Sequence, residues 1–411
     1  MKIFISSIGS RGDVQPVLAL AVELKSMHHK IALCTAPNFR EWVESQGIEF
    51  IPIGPDLKKY AGGKGPDHYV KPSRQQLKRA AAQAVRSQFQ VILEAARGYD
   101  LMIAGGAVQF ATRSVAEILN VPYLFVAYSP VVLPSQEYPP PKIRSSYPQS
   151  LPQMINRWLW MKDSQSWNNK FRATLNEERV KFGLTPVRDV RSHIFTDHPW
   201  LASDPVLGPA PTGNNMKITQ TGPWLLPDYS LLPDELEKFL ASGDPPVYIG
   251  FGSTTPSDQT ALLFIEAAKK LRLHVIISRG WADLNPAEEN SGFLSIGDVN
   301  FGKLFKRVRA IIHHGGSGTT TAAALGGKPQ VVVPHTYDQF YWANRVERSG
   351  IGYSVRPGKH LTPDYIAGLI LKCLRPAITE RAQEIMERIE LQGARKAAER
   401  ISKDYNTTAT F

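Results

Sequence analysis

The sequence predicts an α/β protein built from two similar-sized, doubly wound domains with a ligand cleft between them. Three observations carry that expectation. Short apolar strands alternate with helical periodicity in two separate series, one starting at Lys2 and the other at Val247. The stretch from Gly222 to Pro246, with Pro223, Pro227, Pro233, Pro245 and Pro246, separates them as a linker plus a short helix. Within the second series a strand runs directly into His313–His314–Gly315–Gly316–Ser317–Gly318–Thr319 and an alanine-rich helix. Glycines let the backbone approach a ligand, and the unpaired N–H groups and positive dipole end of the new helix favour an anion.

The first series opens with a strand over Lys2–Ser7, a loop over Gly9–Asp13 and a helix on which Val14, Val17, Leu18, Ala21 and Leu24 recur. Pro16 is tolerated in its first turn. A strand over Lys30–Thr35, a helix over Phe39–Gln46 and a strand over Glu49–Pro52 follow. The pattern resumes with a strand at Leu101–Ala104, a helix at Ala111–Leu119 and a strand at Pro122–Val126. From Ser129 to Gln153 the Pro, Ser and Tyr content reads as a long surface loop, suited to a binding wall. The second series places strands at Val247–Phe251, His274–Ser278, Gly292–Ile296, Ala310–His313 and Gln330–Val333, with a helix over Thr260–Leu271. The charged, helical segment from Pro376 to Asp404 is expected to pack back on the first domain. The expected division is therefore 1–222, a linker 223–246, 247–378 and a C-terminal helical segment 379–411.

Composition bounds the function. With 43% hydrophobic and 21% charged residues the chain is an ordinary globular protein, and it holds no apolar run of the roughly 18 residues needed to span a bilayer. Two cysteines, Cys34 and Cys373, exclude a disulfide framework and a zinc cluster, which makes a cytoplasmic location the default. The net charge of +11 draws on Lys71–Arg86 and Lys303–Arg309 among other sites. Neither run has the aromatic interleaving or motif of a nucleic-acid binder, so nucleic acid is not an expected partner. Solvated surface accounts for most of this charge, with a share attracting a phosphorylated ligand or an anionic membrane surface.

The residues themselves suggest chemistry. Asp338–Gln339, a carboxylate and an amide after the strand at Gln330, suit a hydroxyl-rich ligand, and with the anion turn upstream they suggest a sugar nucleotide. The same pair in isolation reads as a polar loop. Asp13 directly precedes a periodic helix, which makes it a candidate N-cap as well as a candidate base. Arg11 is a phosphate partner or a solvated cation, and Ser10 is similar. Gly252–Ser253–Thr254 is a second strand-to-glycine turn. His313 and His314 are adjacent on a strand, so they point to opposite faces, and no cysteine or carboxylate lies at ligand spacing; no metal is expected.

Gly9–Ser10–Arg11–Gly12–Asp13–Val14–Gln15–Pro16 resembles the N-terminal signature of sterol glucosyltransferases and of the glycosyltransferases that decorate glycopeptide antibiotics. His313 to Asn344 is similar to the C-terminal donor signature of the same GT-B, UDP-glycosyltransferase-like superfamily, and Gly297–Asp298–Val299–Asn300 through Leu304–Phe305 resembles its antibiotic-type members. The resemblance implies two Rossmann-like domains facing each other across a cleft, the first for the acceptor and the second for the donor. It implies an inverting, metal-independent transfer of a hexose from a UDP-sugar, UDP-glucose above all, or a dTDP-sugar, to a hydroxyl of a lipophilic natural product, sterol or lipid. Asp13 is then the base. Ser10, Arg11, Ser253, His314, Gly316, Ser317, Gly318 and Thr319 serve the diphosphate, and Asp338 and Gln339 the sugar. Trp281 and Val299 neighbour the nucleobase, although Trp281 departs from the plant pattern. His313 supports the fold instead. Acceptor contacts are expected from Gln109–Arg113 and Tyr128–Tyr138. No cofactor beyond the nucleotide-sugar co-substrate is called for, and a monomer or weak dimer is expected.

Other classes leave different marks. A nucleotide-sugar epimerase of the same fold would rearrange or hydrolyse its donor without an acceptor, and a non-catalytic sensor would bind donor without consuming it. A dinucleotide oxidoreductase is disfavoured, because the first loop lacks Gly-x-Gly-x-x-Gly and no acidic residue is clearly placed at the end of the second strand. No clear amphipathic membrane anchor stands out.

Overall fold

The computed structural model describes residues 1–56, 73–142, 149–252, 258–279, 292–356 and 360–405. Seven parallel strands form the first sheet: β1 (Lys2–Ser7), β2 (Lys30–Thr35), β3 (Glu49–Pro52), β4 (Leu101–Gly105), β5 (Tyr123–Ala127), β6 (Trp200–Leu201) and β7 (Thr219–Gln220). Their spatial order is β3-β2-β1-β4-β5-β6-β7. The second sheet holds β8 (Val247–Gly250), β9 (Val275–Ser278), β10 (Phe293–Ile296), β11 (Ala310–His313), β12 (Gln330–Val332) and β13 (Gly352–Ser354), in the order β10-β9-β8-β11-β12-β13. Both are doubly wound. In each, the strand order reverses once, between β1 and β4 and between β8 and β11, and a crevice for ligands opens beyond the strand ends at such a reversal.

Near-continuous apolar strands follow from burial on both faces. In β1, Ile3 and Ile5 face the helix Arg11–Ser26 through Val14, Val17, Leu18, Ala21 and Leu24. Phe4, one residue out of phase, faces the opposite layer with Val85, Phe89 and Ile92 of the helix Arg74–Ala95. That helix carries most of the basic run Lys71–Arg86 noted in the sequence. Ser73 and Gln76 start it with a reciprocal capping box, Gln76 N–H donating to Ser73 Oγ at 3.2 Å and Ser73 N–H to Gln76 Oε1 at 2.7 Å. In β11, Ile312 packs with the helices Asp258–Lys270 and Pro363–Cys373, and Ile311 faces the other layer with Tyr248, Leu304 and Phe305.

Two expectations change. The loop after Ser129 is only partly a surface feature: Val131, Leu133 and Tyr138 are buried, and Tyr138 Oη donates to the Pro130 carbonyl at 2.7 Å. Aromatic bulk draws this stretch into a core shared with Trp160, Leu207, Tyr341 and Trp342, so it lines the seam between the domains. The C-terminal segment also divides later than expected. The helix Pro376–Met386 stays with the second domain, where Ala382, Ile385 and Ile389 join the Trp342 cluster. Only the helix Gly393–Tyr405 returns to the first domain, burying Ala394, Ala397, Ala398 and Ile401 against the layer that holds Val14 and Leu18. Small residues on one helical face allow that close approach.

Candidate active site

The loop after β1 enters the helix Arg11–Ser26 at the first sheet's reversal, and Ser10, not Asp13, is the N-cap. Asp13 is the third helical residue. Its Oδ2 accepts hydrogen bonds from Ser10 N–H at 2.8 Å and Ser10 O–H at 3.1 Å. Its Oδ1 turns the other way, over Gly106, where a Cβ would sit 3.3 Å from it. The N-cap reading of Asp13 is thus corrected to a capping-box partner one turn in, and its Oδ1 is left out of that hydrogen bonding. Burial raises the Asp13 pKa, and the two Ser10 hydrogen bonds oppose that without cancelling it.

Tyr128, at the end of β5, closes this side. Its hydroxyl lies 3.3 Å from Ser7 Oγ, which itself donates to the Asp13 carbonyl at 2.8 Å. Gly105 has to be glycine here, since a Cβ would fall 1.9 Å from Tyr128 Oη. Gln109 and Arg113, offered by the sequence as acceptor contacts, are occupied elsewhere. Gln109 is buried, bonding the Gly105 carbonyl and Thr112, and Arg113 pairs with Glu117 at 3.4 Å.

The loop after β11 lies at the second sheet's reversal. His313 is structural: its Nδ1 accepts from Gly315 N–H at 3.1 Å, which places the proton on Nε2, facing Gln330 Oε1 at 2.9 Å. Gly315 needs its φ of +91° and leaves no room for a Cβ, which would meet Val332 at 2.6 Å. His314 points the other way. Its ring is sandwiched by glycines, with a Cβ on Gly252 falling 3.1 Å from its Cε1 and one on Gly316 falling 2.6 Å from its Nε2. His314 Nδ1 is buried with no hydrogen-bond partner among the described residues. Burial, with His313 and His335 nearby, lowers its pKa to about 3, so the imidazole is neutral at ordinary pH.

Gly316 is the N-cap of the helix Ser317–Leu325, and Gly318 faces open space. Thr319 lies in the first turn, partly accessible. Ser317 Oγ donates to the Tyr128 carbonyl at 3.1 Å, tying the glycine-rich turn to the first domain.

Asp338 and Gln339 follow β12. Gln339 Oε1 accepts from His335 N–H at 2.8 Å and Thr336 N–H at 3.1 Å, which shapes the loop. Asp338 Oδ2 accepts from Trp342 Nε1–H at 3.1 Å. Burial, less the help of that hydrogen bond and plus the charge of Asp13, pushes the Asp338 pKa up to about 7. Two carboxylates from opposite domains thus sense each other across the seam.

Sequence reasoning missed Tyr337. Its backbone is left-handed at φ +51°, and its N–H donates to the Lys142 carbonyl of the first domain at 3.0 Å. Its ring packs against the first domain's core cluster, and Arg191, Asp338 and Asp13 all act on its phenol. A strained backbone under an aromatic residue leaves no signature in a single sequence.

Arg11 reaches Asp298 of the second domain at 3.1 Å and lies 5.1 Å from the centroid of the Trp42 ring. Val299, next to Asp298, is half-buried against the second domain's core. Ser253 and Trp281 lie outside the described residues. Also among the described residues, no three His, Cys, Asp or Glu side chains converge as a metal-holding group.

Two doubly wound domains whose reversal points face each other, a carboxylate loop on one and a glycine-rich anion turn on the other, define the GT-B architecture. Residues 3–135 match the glycosyltransferase family 28 N-terminal domain, and residues 291–396 match the erythromycin biosynthesis protein CIII-like C-terminal domain. The chain is 38% identical to glycosyltransferase GtfC of Amycolatopsis orientalis, over 97% of this chain and 96% of that one. It is 36% identical to vancomycin aglycone glucosyltransferase of the same organism, with the same shares covered. Sterol 3-beta-glucosyltransferase UGT80B1 of Arabidopsis thaliana is 30% identical over 97% of this chain and 67% of its own length. Among solved structures, the glycotransferase of kitacinnamycin superposes with a TM-score of 0.72 at 17% identity, covering 98% of both chains. The glycosyltransferase VinC in complex with dTDP gives 0.68 at 18% identity, covering 98% of this chain and all of its own. The chain belongs to this family of glycosyltransferases, the one that includes the glycopeptide-antibiotic enzymes and the sterol glucosyltransferases.

Proposed function

We propose that the protein moves a hexose from a UDP- or dTDP-sugar, UDP-glucose first, to a hydroxyl of a lipophilic small molecule, with inversion at the anomeric carbon. The observation that carries this reading is that the Asp13 loop and the His314 turn meet at Tyr128, whose hydroxyl lies 3.3 Å from Ser7 Oγ and whose carbonyl accepts from Ser317 Oγ at 3.1 Å. Asp13 Oδ1 takes the acceptor proton as the acceptor oxygen bonds to the anomeric carbon, and the bond from that carbon to the diphosphate oxygen breaks on the opposite face. A carboxylate whose pKa is raised is a better base than an exposed one.

The departing diphosphate is received by N–H groups at the start of the Ser317–Leu325 helix and by His314. A neutral imidazole with an unpaired buried nitrogen donates a hydrogen bond without needing a positive charge, so His314 acts as a dipolar donor. Arg11, Ser10 and Ser253 are assigned to the diphosphate by resemblance alone. Asp338, with Gln339 shaping its loop, receives the sugar hydroxyls. Val299, with Trp281 by resemblance alone, neighbours the base. The diphosphate's charge is balanced in this reading by protein donors, with no metal and no further cofactor.

The names of the relatives support the acceptor class: vancomycin aglycone in one, sterols in others. Structures of VinC with dTDP and of SsfS6 with thymidine diphosphate support a nucleotide-sugar donor. The test is a screen of UDP- and dTDP-sugars against glycopeptide aglycones, sterols and polyketides, read by the mass gain of one hexose and by the anomeric coupling of the product. A β-linked product from an α-linked donor is expected. Donor consumption with no glycosylated acceptor anywhere in the panel, or retention of configuration, would contradict the proposal.

A further inference from the structure

The helix Gln153–Trp167 is apolar on two faces. Leu159 and Trp160 point inward, with Trp160 Nε1–H donating to the Tyr138 carbonyl at 2.9 Å beside the domain seam. The opposite face leaves Met154 80%, Trp158 52% and Met161 61% exposed, with Ile155 beside them at 43%. Met154, Trp158 and Met161 stand at i, i+4 and i+7, one continuous stripe on an α-helix. Large apolar residues scattered singly on a surface need no explanation, but a contiguous stripe marks an interaction site.

The charges around this stripe identify its occupant. At about 100° per residue, Arg157 and Lys162 fall on opposite flanks of the stripe. Both are exposed, neither is paired with a carboxylate among the described residues, and the Lys162 ammonium lies 5.5 Å from the Trp158 ring centroid. The helix has a single acid, Asp163, and it turns inward to pair with the buried Arg191. The outward face is therefore apolar in the middle, cationic at both edges and free of acids, on a chain of net charge +11.

We propose that this face of the Gln153–Trp167 helix docks on an anionic phospholipid surface, with Met154, Trp158 and Met161 in the acyl–headgroup boundary and Arg157 and Lys162 on lipid phosphates. An apolar stripe with flanking cations and an indole at the boundary is the pattern of a helix lying in the interface plane. A protein partner built to cover this face would need acids at its rim and an apolar centre, whereas anionic lipid supplies both at once. The inner face of the same helix contributes to the wall of the domain seam, so docking sets the cleft about one helix diameter, roughly 10 Å, from the bilayer. A lipophilic acceptor would then reach the site without crossing bulk water. The sequence showed no anchor because apolar residues occur all round this helix, and only the fold reveals which half is covered.

The test is co-sedimentation of the full chain with phosphatidylcholine vesicles, with and without a third of phosphatidylglycerol, at low and high salt and without any donor or acceptor. Binding to the anionic vesicles is expected, weakened by salt and at least about tenfold weaker in Trp158→Ser/Met161→Ser. Arg157→Gln/Lys162→Gln should lose the preference for anionic lipid. Both pairs are on the surface, so their melting temperatures should match the parent and a fall in binding cannot be assigned to unfolding. Failure of the parent chain to bind anionic vesicles at low salt would overturn the proposal, as would equal binding by Trp158→Ser/Met161→Ser. A dimer in sedimentation velocity that Trp158→Ser/Met161→Ser dissociates, with no vesicle binding, would assign the stripe to a second copy and overturn it as well. None of these readouts depends on glycosyl transfer.

Discussion

The Ser10 hydrogen bonds fall on one oxygen of Asp13, Oδ2, so in the proposed reaction the residue can support the helix start through Oδ2 and act as a base through Oδ1. Asp338 shows the cost of such a site. Its carboxylate holds a proton up to about pH 7 because it is buried opposite Asp13. The folded chain binds that proton more tightly than the unfolded chain, so the group favours folding fully only below the ordinary carboxylate range. That contribution is lost as pH rises through about 7. Asp338→Asn removes the titration. The variant should be more stable than the parent at pH 8.5 by roughly 1–3 kcal/mol in urea unfolding, with the gap closing towards pH 5. A gap that does not change with pH would contradict the burial argument. For His314, removal of the side chain should lower kcat/KM by about 10²–10³-fold, the usual loss for one donor at a developing anion. Because the imidazole is neutral, the pH profile of kcat/KM should show no His314 titration between pH 6 and 8; a limb there that disappears in His314→Ala would show that the donor is imidazolium.

At the scale of elements, most of both sheets was legible in the sequence, since strands buried on two faces are written as short apolar runs and the helices between them carry a 3.6-residue period. What was not legible has physical reasons. β6 and β7 are two residues each, too short to show alternation, and register comes from neighbours such as Val126 opposite Trp200. The helix Arg74–Ala95 was obscured by its cations, which occupy its solvent side. The crossing back to the first domain was misplaced because both C-terminal helices are charged and amphipathic, and what separates them is the packing of Gly393. A Cβ on Gly393 would lie 2.4 Å from the Pro223 carbonyl oxygen and 2.6 Å from Gly222 C, where the outgoing and returning chains touch. Gly393→Ala must therefore move backbone. A loss of roughly 1–3 kcal/mol is expected, with faster proteolytic release of the terminal helix. An unchanged melting temperature would show that this crossing yields easily.

Across the whole molecule, the site exists only where the two domains meet. Arg11 to Asp298, Ser317 to Tyr128, Tyr337 to Lys142 and Arg345 to the Leu207 carbonyl all join the two halves, around the buried Trp342. The motif residues were legible one by one, because glycine-rich turns and acid–amide pairs have few other uses in combination. Their pairing across the seam was not, since Asp13 and Asp338 lie more than three hundred residues apart in the chain. In the proposed reaction one domain supplies the base while the other binds the donor and takes the leaving group. Asn at position 13 keeps an oxygen for the Ser10 hydrogen bonds but cannot accept the acceptor's proton. The most direct measurement is therefore turnover and donor affinity of Asp13→Asn, side by side with the parent. A fall in kcat of about 10²–10⁴-fold is expected, with donor affinity by calorimetry unchanged within error. Turnover close to the parent's, or loss of donor binding along with activity, would contradict it.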